Sequence, residues 1–207
     1  MILLKIRSDS NPNKVTKKMI IKTNHQFKNY QFYIPRHDLK YLFVGTFNPE
    51  FGDKVPYYYG RTSNYFWEVI SNIFNISINP FEDNFFNKLE DLKIGCIDIV
   101  DSLIYEKEKY HSLINGEGYS DEEIFKKKNN ITINYNTQQI IDLVKKNSLK
   151  KIYITNKGGV FRKEQKLEIK SIKNYCDVIN ISSPSQYNVR INGGIDKVIK
   201  DWKFNLG

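Results

Sequence analysis

Two polar segments, far apart in the chain, carry the residue types best suited to chemistry. The first is residues 45–50 (GTFNPE), followed by an aromatic stretch at 57–67 (YYYGRTSNYFW), and the second is residues 182–189 (SSPSQYNV). Each polar turn comes directly after an apolar, β-branched run. In an open α/β sheet such turns lie at the carboxyl ends of parallel strands, where ligands bind. We therefore expect both segments to face one pocket.

Taken in order, these segments resemble motifs of the uracil-DNA glycosylase superfamily. Residues 45–50 resemble the water-holding Gly-x-Asn-Pro-Gly motif of the mismatch-specific uracil/thymine branch. Residues 59–67 are similar to the aromatic stretch of that branch, and to the Tyr-Tyr-x-His-Pro-x-Asn-x-Phe-Trp stretch of hypoxanthine-DNA glycosylases. Residues 183–189 resemble the His-Pro-Ser-Pro-x-Asn-Val loop of another branch, and 94–101 and 152–161 look like the family's intervening strand motifs. The resemblance covers residues 38–202 and rests on motifs alone.

Three positions depart from the family pattern. Phe47 is an extra residue between Gly45 and Asn48, and Glu50 stands where the mismatch-specific branch has Gly. Ser183 replaces the His or Asn that usually opens the second loop. These differences bear on the base that would be accepted more than on the fold.

The resemblance implies a hydrolase that rotates a nucleotide out of DNA and cleaves its N-glycosidic bond. Asn48 would hold the hydrolytic water, by positioning it, because an amide is a poor general base. Two alternatives stay open. A carboxylate is a stronger water activator, and Glu50 and Asp53 are close in sequence; Asn64 matches the catalytic amide of the hypoxanthine branch, although it can equally cap the following helix. No lysine occupies a recognised nucleophile position, so we expect a monofunctional glycosylase without lyase activity.

The resemblance also implies which residues would bind the base and the DNA. Tyr59 is expected to stack on the extruded base, in a pocket shared with Gly45, Thr46 and Phe47. The expected DNA contacts are Ser183, Ser185, Gln186, Tyr187, Asn188, Arg190 and Lys157. Among these, Gln186 or Tyr187 would fill the space that the base leaves.

Other functions fit parts of the same pattern. A reshaped, larger pocket would suit a bulky, hypermodified phage base, and the protein would then act in anti-phage defence. A non-catalytic DNA-binding module could keep the same fold, and an unrelated nucleotide- or sugar-binding protein could use the Ser-rich turns for phosphate. The chain has no Gly-x-Gly-x-x-Gly fingerprint, which argues against a dinucleotide site.

Composition limits the partners and cofactors. The net charge of +9 is compatible with a polyanionic partner such as DNA, although a Lys-rich composition alone gives many basic proteins. Cys96 and Cys176 are too few for a disulfide framework or a four-thiolate cluster, and the three histidines lack metal-ligand spacing. We expect no cofactor, no metal and no metal cluster.

No apolar stretch is long enough to span a membrane and no signal peptide is evident, so we expect a cytoplasmic monomer.

Apolar periodicity predicts one α/β domain over residues 1–207, a length sufficient to bury a core. Strands are predicted at 41–44, 94–100, 151–155 and 178–181, and helices after a Thr62 or Ser63 cap and at 82–92, 137–146, 158–170 and 195–202. Right-handed crossovers then give a three-layer α/β/α fold with a central four-stranded parallel sheet. Residues 1–37 are predicted to be an irregular N-terminal extension or an edge element. Residues 105–134 are predicted to be a solvated insertion or, alternatively, a loop that contacts DNA or closes over the base.

Overall fold

The computed structural model describes residues 18–52, 54–115, 121–126, 129–155 and 163–207. Asp53, Lys157 and the beginning of the helix predicted at residue 158 lie outside these residues. The strands are β1 (Ile20–Asn24), β2 (Tyr41–Gly45), β3 (Ile94–Asp98), β4 (Val100–Glu106), β5 (Thr132–Tyr135), β6 (Lys151–Ile154) and β7 (Asp177–Asn180). The helices are α1 (Phe66–Phe74), α2 (Phe85–Asp91), α3 (Lys107–Asn115), α4 (Asp121–Phe125), α5 (Thr137–Asn147), α6 (Lys163–Lys173), α7 (Gln186–Ile191) and α8 (Ile195–Leu206).

The main sheet is parallel, with four strands in the order β3-β2-β6-β7. Helices cover both faces, which confirms the predicted three-layer α/β/α architecture. The central strand β2 is apolar along its length and is buried from Leu42 to Gly45, as expected for a parallel strand with both faces covered.

Alternation along β2 sends side chains into two different cores. Val44 belongs to an aliphatic cluster that also holds Ile140 of α5 and Ile172 of α6. Phe43 points to the opposite face and belongs to an aromatic cluster, where its ring lies 5.2 Å from that of Phe66 and 5.5 Å from that of Trp202. The strand therefore fixes the positions of helices on both sides of the sheet.

A second sheet, which the sequence did not predict, is antiparallel and has the order β1-β4-β5. The strand predicted at 94–100 ends at Asp98, and the chain enters β4 at Val100. Residues 20–24 of the predicted irregular extension form β1, which pairs with β4 over its full length. The two β-prone runs are adjacent in sequence, so composition alone could not show that the chain changes sheets between them.

The segment 105–134 is more than a solvated insertion. It contains the end of β4, helices α3 and α4, and most of β5. Ile114, Ile124 and Phe125 are buried in the aliphatic core. The described residues of this segment therefore contribute to packing, and their apolar positions were obscured in the sequence by the many charges between them.

A polar network joins the N-terminal region to β4. Asp101 accepts hydrogen bonds from Lys28 Nζ at 2.6 and 2.7 Å and from Tyr33 Oη at 3.0 Å. Burial raises the pKa of Asp101, but the hydrogen bond and positive charge of Lys28 outweigh it and hold the pKa below its ordinary value. The ionised form of Asp101 therefore stabilises the folded protein. This contribution to the free energy of unfolding is lost as the pH falls through the lowered pKa of the folded state.

Asp101→Asn should lower the free energy of unfolding at pH 7 by about 1–2 kcal/mol, because Lys28 and Tyr33 lose a charged acceptor. The loss should shrink below about pH 4, where the unfolded-state carboxyl also binds a proton. Urea unfolding at pH 7 and pH 3 measures both effects. Asp91→Asn, at an exposed position of α2, is the matched control. Equal pH dependence in the two variants would contradict the assignment.

Candidate functional site

The carboxyl ends of all four parallel strands meet at one edge of the main sheet. Gly45 ends β2, Asp98 ends β3, Thr155 follows β6 and Ser182 lies two residues after β7. The polar turns identified in the sequence therefore share this edge, which is the position where open parallel sheets bind ligands.

The two motif segments touch each other directly. Tyr65 N–H donates to the carbonyl of Pro184 at 2.8 Å, and Gln186 N–H donates to the carbonyl of Ser63 at 2.9 Å. These backbone hydrogen bonds join the end of the aromatic stretch to the start of the Ser-rich turn, so the two segments are fixed against each other at this edge.

Asp98 is the buried centre of this edge, with only 2% of its surface exposed. Its Oδ2 accepts two hydrogen bonds, from His25 Nε2 and from Asn48 Nδ2, both at 2.8 Å. His25 Nδ1 accepts the backbone N–H of Phe27 at 3.1 Å, so the ring proton is on Nε2 and points to Asp98. A buried carboxylate needs such donors, since an unpaired one would be strongly destabilising.

Aromatic side chains enclose the His25 ring. The rings of Phe27, Tyr33, Phe47 and Tyr58 have centroids 5.2–5.7 Å from that of His25, which is 1% exposed. Phe47, which was expected to bind the base, is itself 4% exposed and packs edge-on against His25. The extra residue of the first motif therefore covers the histidine, and the structure does not place it on an open pocket wall.

Asn48 is held in a single orientation. Its backbone carbonyl accepts the N–H of Gln26 at 2.7 Å, and its side-chain nitrogen is fixed on Asp98. The amide oxygen must then point away from Asp98, because an oxygen facing the carboxylate would be repelled. Asn48 is half-buried, and within the described residues no group donates to this oxygen. The arrangement leaves an acceptor that can orient a water molecule.

Gly45 lies where any side chain would overlap the side chains of Asp98 and Tyr59. A Cβ at this position would be 2.2 Å from Asp98 Oδ1 and 2.9 Å from the hydroxyl of Tyr59. Next to it, Thr46 is half-buried and its carbonyl accepts the N–H of Val100 at 3.1 Å. Gly45 therefore permits the aspartate and the tyrosine to approach the same point above the strand end.

The Tyr59 side chain is held by a ring stack and by its hydroxyl. One face of its ring is parallel to Phe66, with centroids 3.9 Å apart and planes inclined by 2°. The hydroxyl lies 3.2 Å from Thr155 Oγ1, and burial raises the pKa of this phenol well above its usual range. Tyr59 also has a φ of 58°, an unfavourable value for a tyrosine that the surrounding packing must enforce.

The neighbouring tyrosines are core residues. Tyr57 and Tyr58 are 4% and 0% exposed, and their hydroxyls donate to the carbonyls of Phe32 and Tyr33. Both side chains therefore belong to the aromatic cluster and do not line the site. Of the three, only Tyr59 is half-buried at the strand-end edge.

The two alternative catalytic candidates have different surroundings. Asn64 Oδ1 accepts the N–H of Phe66, the first residue of α1, at 2.9 Å, so Asn64, and not Thr62 or Ser63, satisfies a backbone donor at the start of this helix. Its carbonyl oxygen is already engaged. Glu50 is half-buried, its N–H donates to the carbonyl of Asn24, and no described residue bonds to its carboxylate.

The Ser-rich turn continues into a short helix, which corrects the expectation of a loop over residues 183–190. Ser185 caps α7: its hydroxyl accepts the backbone N–H of Asn188 at 3.4 Å and the side-chain Nδ2 of Asn188 at 2.8 Å. Asn188 thus braces the turn, and Ser183 Oγ donates to Ser185 Oγ at 3.3 Å. On the solvent side of α7, Gln186 and Arg190 are exposed, and Tyr187 is 73% exposed.

Sequence reasoning missed His25 and Asp98 as site residues. Asp98 could have been identified from the sequence, because it is an acidic residue at the end of the otherwise apolar run Ile94–Asp98. A strand with that ending places a charge beside the first motif. Nothing local marked His25, which lies in the N-terminal region and reaches the site through tertiary contacts with Asp101 and Pro49.

A scan against models of protein families finds no match, and a search of curated proteins finds none. In the described part of the chain, no group of three or more His, Cys, Asp or Glu side chains is placed to hold a metal ion. No helix among the described residues is both long and apolar enough to cross a membrane.

Gly45→Ala should destabilise the protein by about 1–3 kcal/mol, because the new methyl group overlaps Asp98 Oδ1. Asp98→Ala makes room for that methyl group, so the double variant should lose less than the sum of the single losses, by about 1 kcal/mol. Chemical unfolding of the four proteins measures the coupling. Gly45→Ala combined with Cys176→Ala, in the aliphatic core, should be additive. Additivity in both pairs would show that Asp98 does not limit the space above Gly45.

Proposed function

We propose that the protein is a monofunctional DNA glycosylase, which extrudes a deaminated or otherwise modified base and hydrolyses its N-glycosidic bond to leave an abasic site. The observation that carries the proposal is the Asn48 amide, fixed on buried Asp98 with its oxygen free, at the strand end where Asp98 and the Tyr59 hydroxyl both approach Gly45. We further propose that it acts as a cytoplasmic monomer, without metal or cofactor.

In this proposal the extruded base stacks on the face of Tyr59 that Phe66 does not cover. Stacking of a base on an aromatic ring contributes about 1–3 kcal/mol. Asn48 Oδ1 accepts a hydrogen bond from a water and holds it beside the sugar C1′. As the C1′–N bond breaks, the electron pair leaves with the base, the water oxygen bonds to C1′, and the water proton is lost to solvent or to the departing base.

The carboxylate of Asp98 supports this reaction in two ways. It fixes the amide of Asn48, and its negative charge favours the positive charge that develops on the sugar ring. Ser183 stands where the family has a leaving-group histidine. The N–H groups of Ser182, Ser185 and Gln186 are already bonded within the protein, so stabilisation of the departing base falls to the backbone N–H of Ser183. A weak contribution there suits a base that is already a good leaving group.

A screen of oligonucleotides tests the proposal. Duplex and single strands should carry uracil, hypoxanthine, xanthine, a thymine mismatch or glucosylated hydroxymethylcytosine, and alkali should reveal abasic sites. We expect strand breaks at one of these bases, and breaks only after alkali. Breaks without alkali would indicate lyase activity, and intact strands throughout would contradict the proposal.

Asn48→Ala should reduce excision by about 100-fold or more, because a misplaced water costs about that factor, while duplex binding stays nearly unchanged. Single-turnover excision and fluorescence anisotropy separate the two readouts. Glu50→Gln tests the rival carboxylate, and Asn64→Ala tests the amide at the start of α1. Should Asn48→Ala keep full activity while Glu50→Gln loses it, the water-positioning role would belong to Glu50.

Tyr187 is the residue of α7 best placed to enter the duplex, since it is large and 73% exposed. A side chain that fills the vacated space stabilises the extruded state, so Tyr187→Ala should reduce excision most where the target base is well paired. Paired and unpaired versions of the same substrate measure this, with Gln186→Ala as the neighbouring control. The same fold-reduction on both substrates would leave α7 as a backbone contact only.

A further inference from the structure

We infer that a groove between α6 and β7 binds the DNA backbone beyond the target nucleotide, an inference that takes its ligand from the proposed glycosylase function. The groove is lined by Lys166, Ile169, Lys170, Lys173 and Asn180. The three lysines are exposed, Ile169 is half-buried beneath them, and Asn180 offers an exposed amide at the end of β7. No ion pair engages these lysines among the described residues.

The charges on α6 are separated by side. Successive residues of a helix are rotated by about 100°, so Lys166, Lys170 and Lys173 lie within about 60° of one another. Glu164 and Glu168 lie about 160° from Lys166, on the opposite side of the helix. Glu168 is turned toward α5, where it accepts a hydrogen bond from Thr137. The groove therefore presents positive charge that the acidic residues of its own helix do not neutralise.

The linear spacing of the lysines fits a polymer better than a single small anion. From Lys166 to Lys173 the helix advances about 10 Å, because the rise is about 1.5 Å per residue. One DNA strand carries a phosphate about every 3.4 Å along the helix axis, so this length matches about three phosphates. Exposed lysines on a surface do not enclose a single phosphate ion. They can, however, neutralise the phosphates of a DNA backbone and release the counterions bound there.

The groove also reaches the sheet edge that carries the candidate site. Asn180 is the last residue of β7, and Ser183, at the start of the Ser-rich turn, follows three positions later. Because α6 connects β6 to β7, it begins at the same sheet edge and runs away from it. A strand whose target nucleotide lies at that edge can therefore extend over Asn180 and along the lysines.

Binding of an undamaged 30-base-pair duplex tests the inference without any catalytic step. The variant Lys166→Ala/Lys170→Ala/Lys173→Ala should bind at least tenfold more weakly at 150 mM KCl. Its plot of log affinity against log salt should be shallower by about 2–3, since each lost phosphate contact removes about 0.9 from the slope. The control Lys22→Ala/Lys40→Ala/Lys93→Ala removes the same charge from exposed residues on β1 and directly before β2 and β3, outside α6 and β7, and should change affinity less than threefold.

The possible outcomes separate this inference from the proposed function. Equal losses in the two triple variants would overturn the groove, because net charge alone would then explain binding. Recruitment of the wild type to phosphatidylserine vesicles, lost in the groove variant while its DNA affinity is unchanged, would also overturn it in favour of a membrane surface. Absence of base excision in every oligonucleotide would reject the glycosylase, but duplex binding would still decide the role of the lysines.

Discussion

The buried carboxylate of Asp98 determines how several distant segments of this protein pack together. Asp98 is almost wholly enclosed, and a carboxylate in such a place is tolerated only when donors surround it. One donor comes from the N-terminal region through His25, and the other from the turn after β2 through Asn48. Its backbone carbonyl accepts Asn136 Nδ2 at 2.8 Å, which adds the start of α5. Segments distant in sequence are thereby fixed around one side chain.

This requirement also explains how the two sheets are joined. Asp98 ends β3 of the parallel sheet, and two residues later Val100 begins β4 of the antiparallel sheet. His25 follows β1, so its bond to Asp98 closes the antiparallel sheet against the parallel one. The Asp101 network with Lys28 and Tyr33 strengthens the same junction. A rigid junction suits a site whose proposed chemistry depends on holding one amide and one water.

The aromatic cluster also fixes residues at the strand-end edge, by ring packing and backbone hydrogen bonds. Tyr58 and Trp67 anchor the aromatic stretch, since the indole N–H of Trp67 donates to the Tyr58 carbonyl at 2.9 Å. Tyr59 is then forced into a left-handed backbone conformation, with its ring on Phe66. Strain of this kind persists where packing over-determines it, and such positions cluster at functional sites. The Tyr59 hydroxyl reaches the strand-end edge, where it lies 3.2 Å from Thr155 Oγ1.

The sequence by itself determined the parallel sheet, its helical layers and the edge at which the motifs meet, because apolar runs such as 41–44 need burial on both faces. It also singled out Asn48 and Tyr59 at that edge, although their chemical roles stay predictions. Only the tertiary structure decided that Phe47 is a core residue, that Asn64 satisfies a backbone donor at the start of α1, and that His25 and Asp98 lie under Asn48. The reason is physical: local patterns report which face of an element is buried, whereas hydrogen bonds between residues 73 positions apart depend on how the sheets pack.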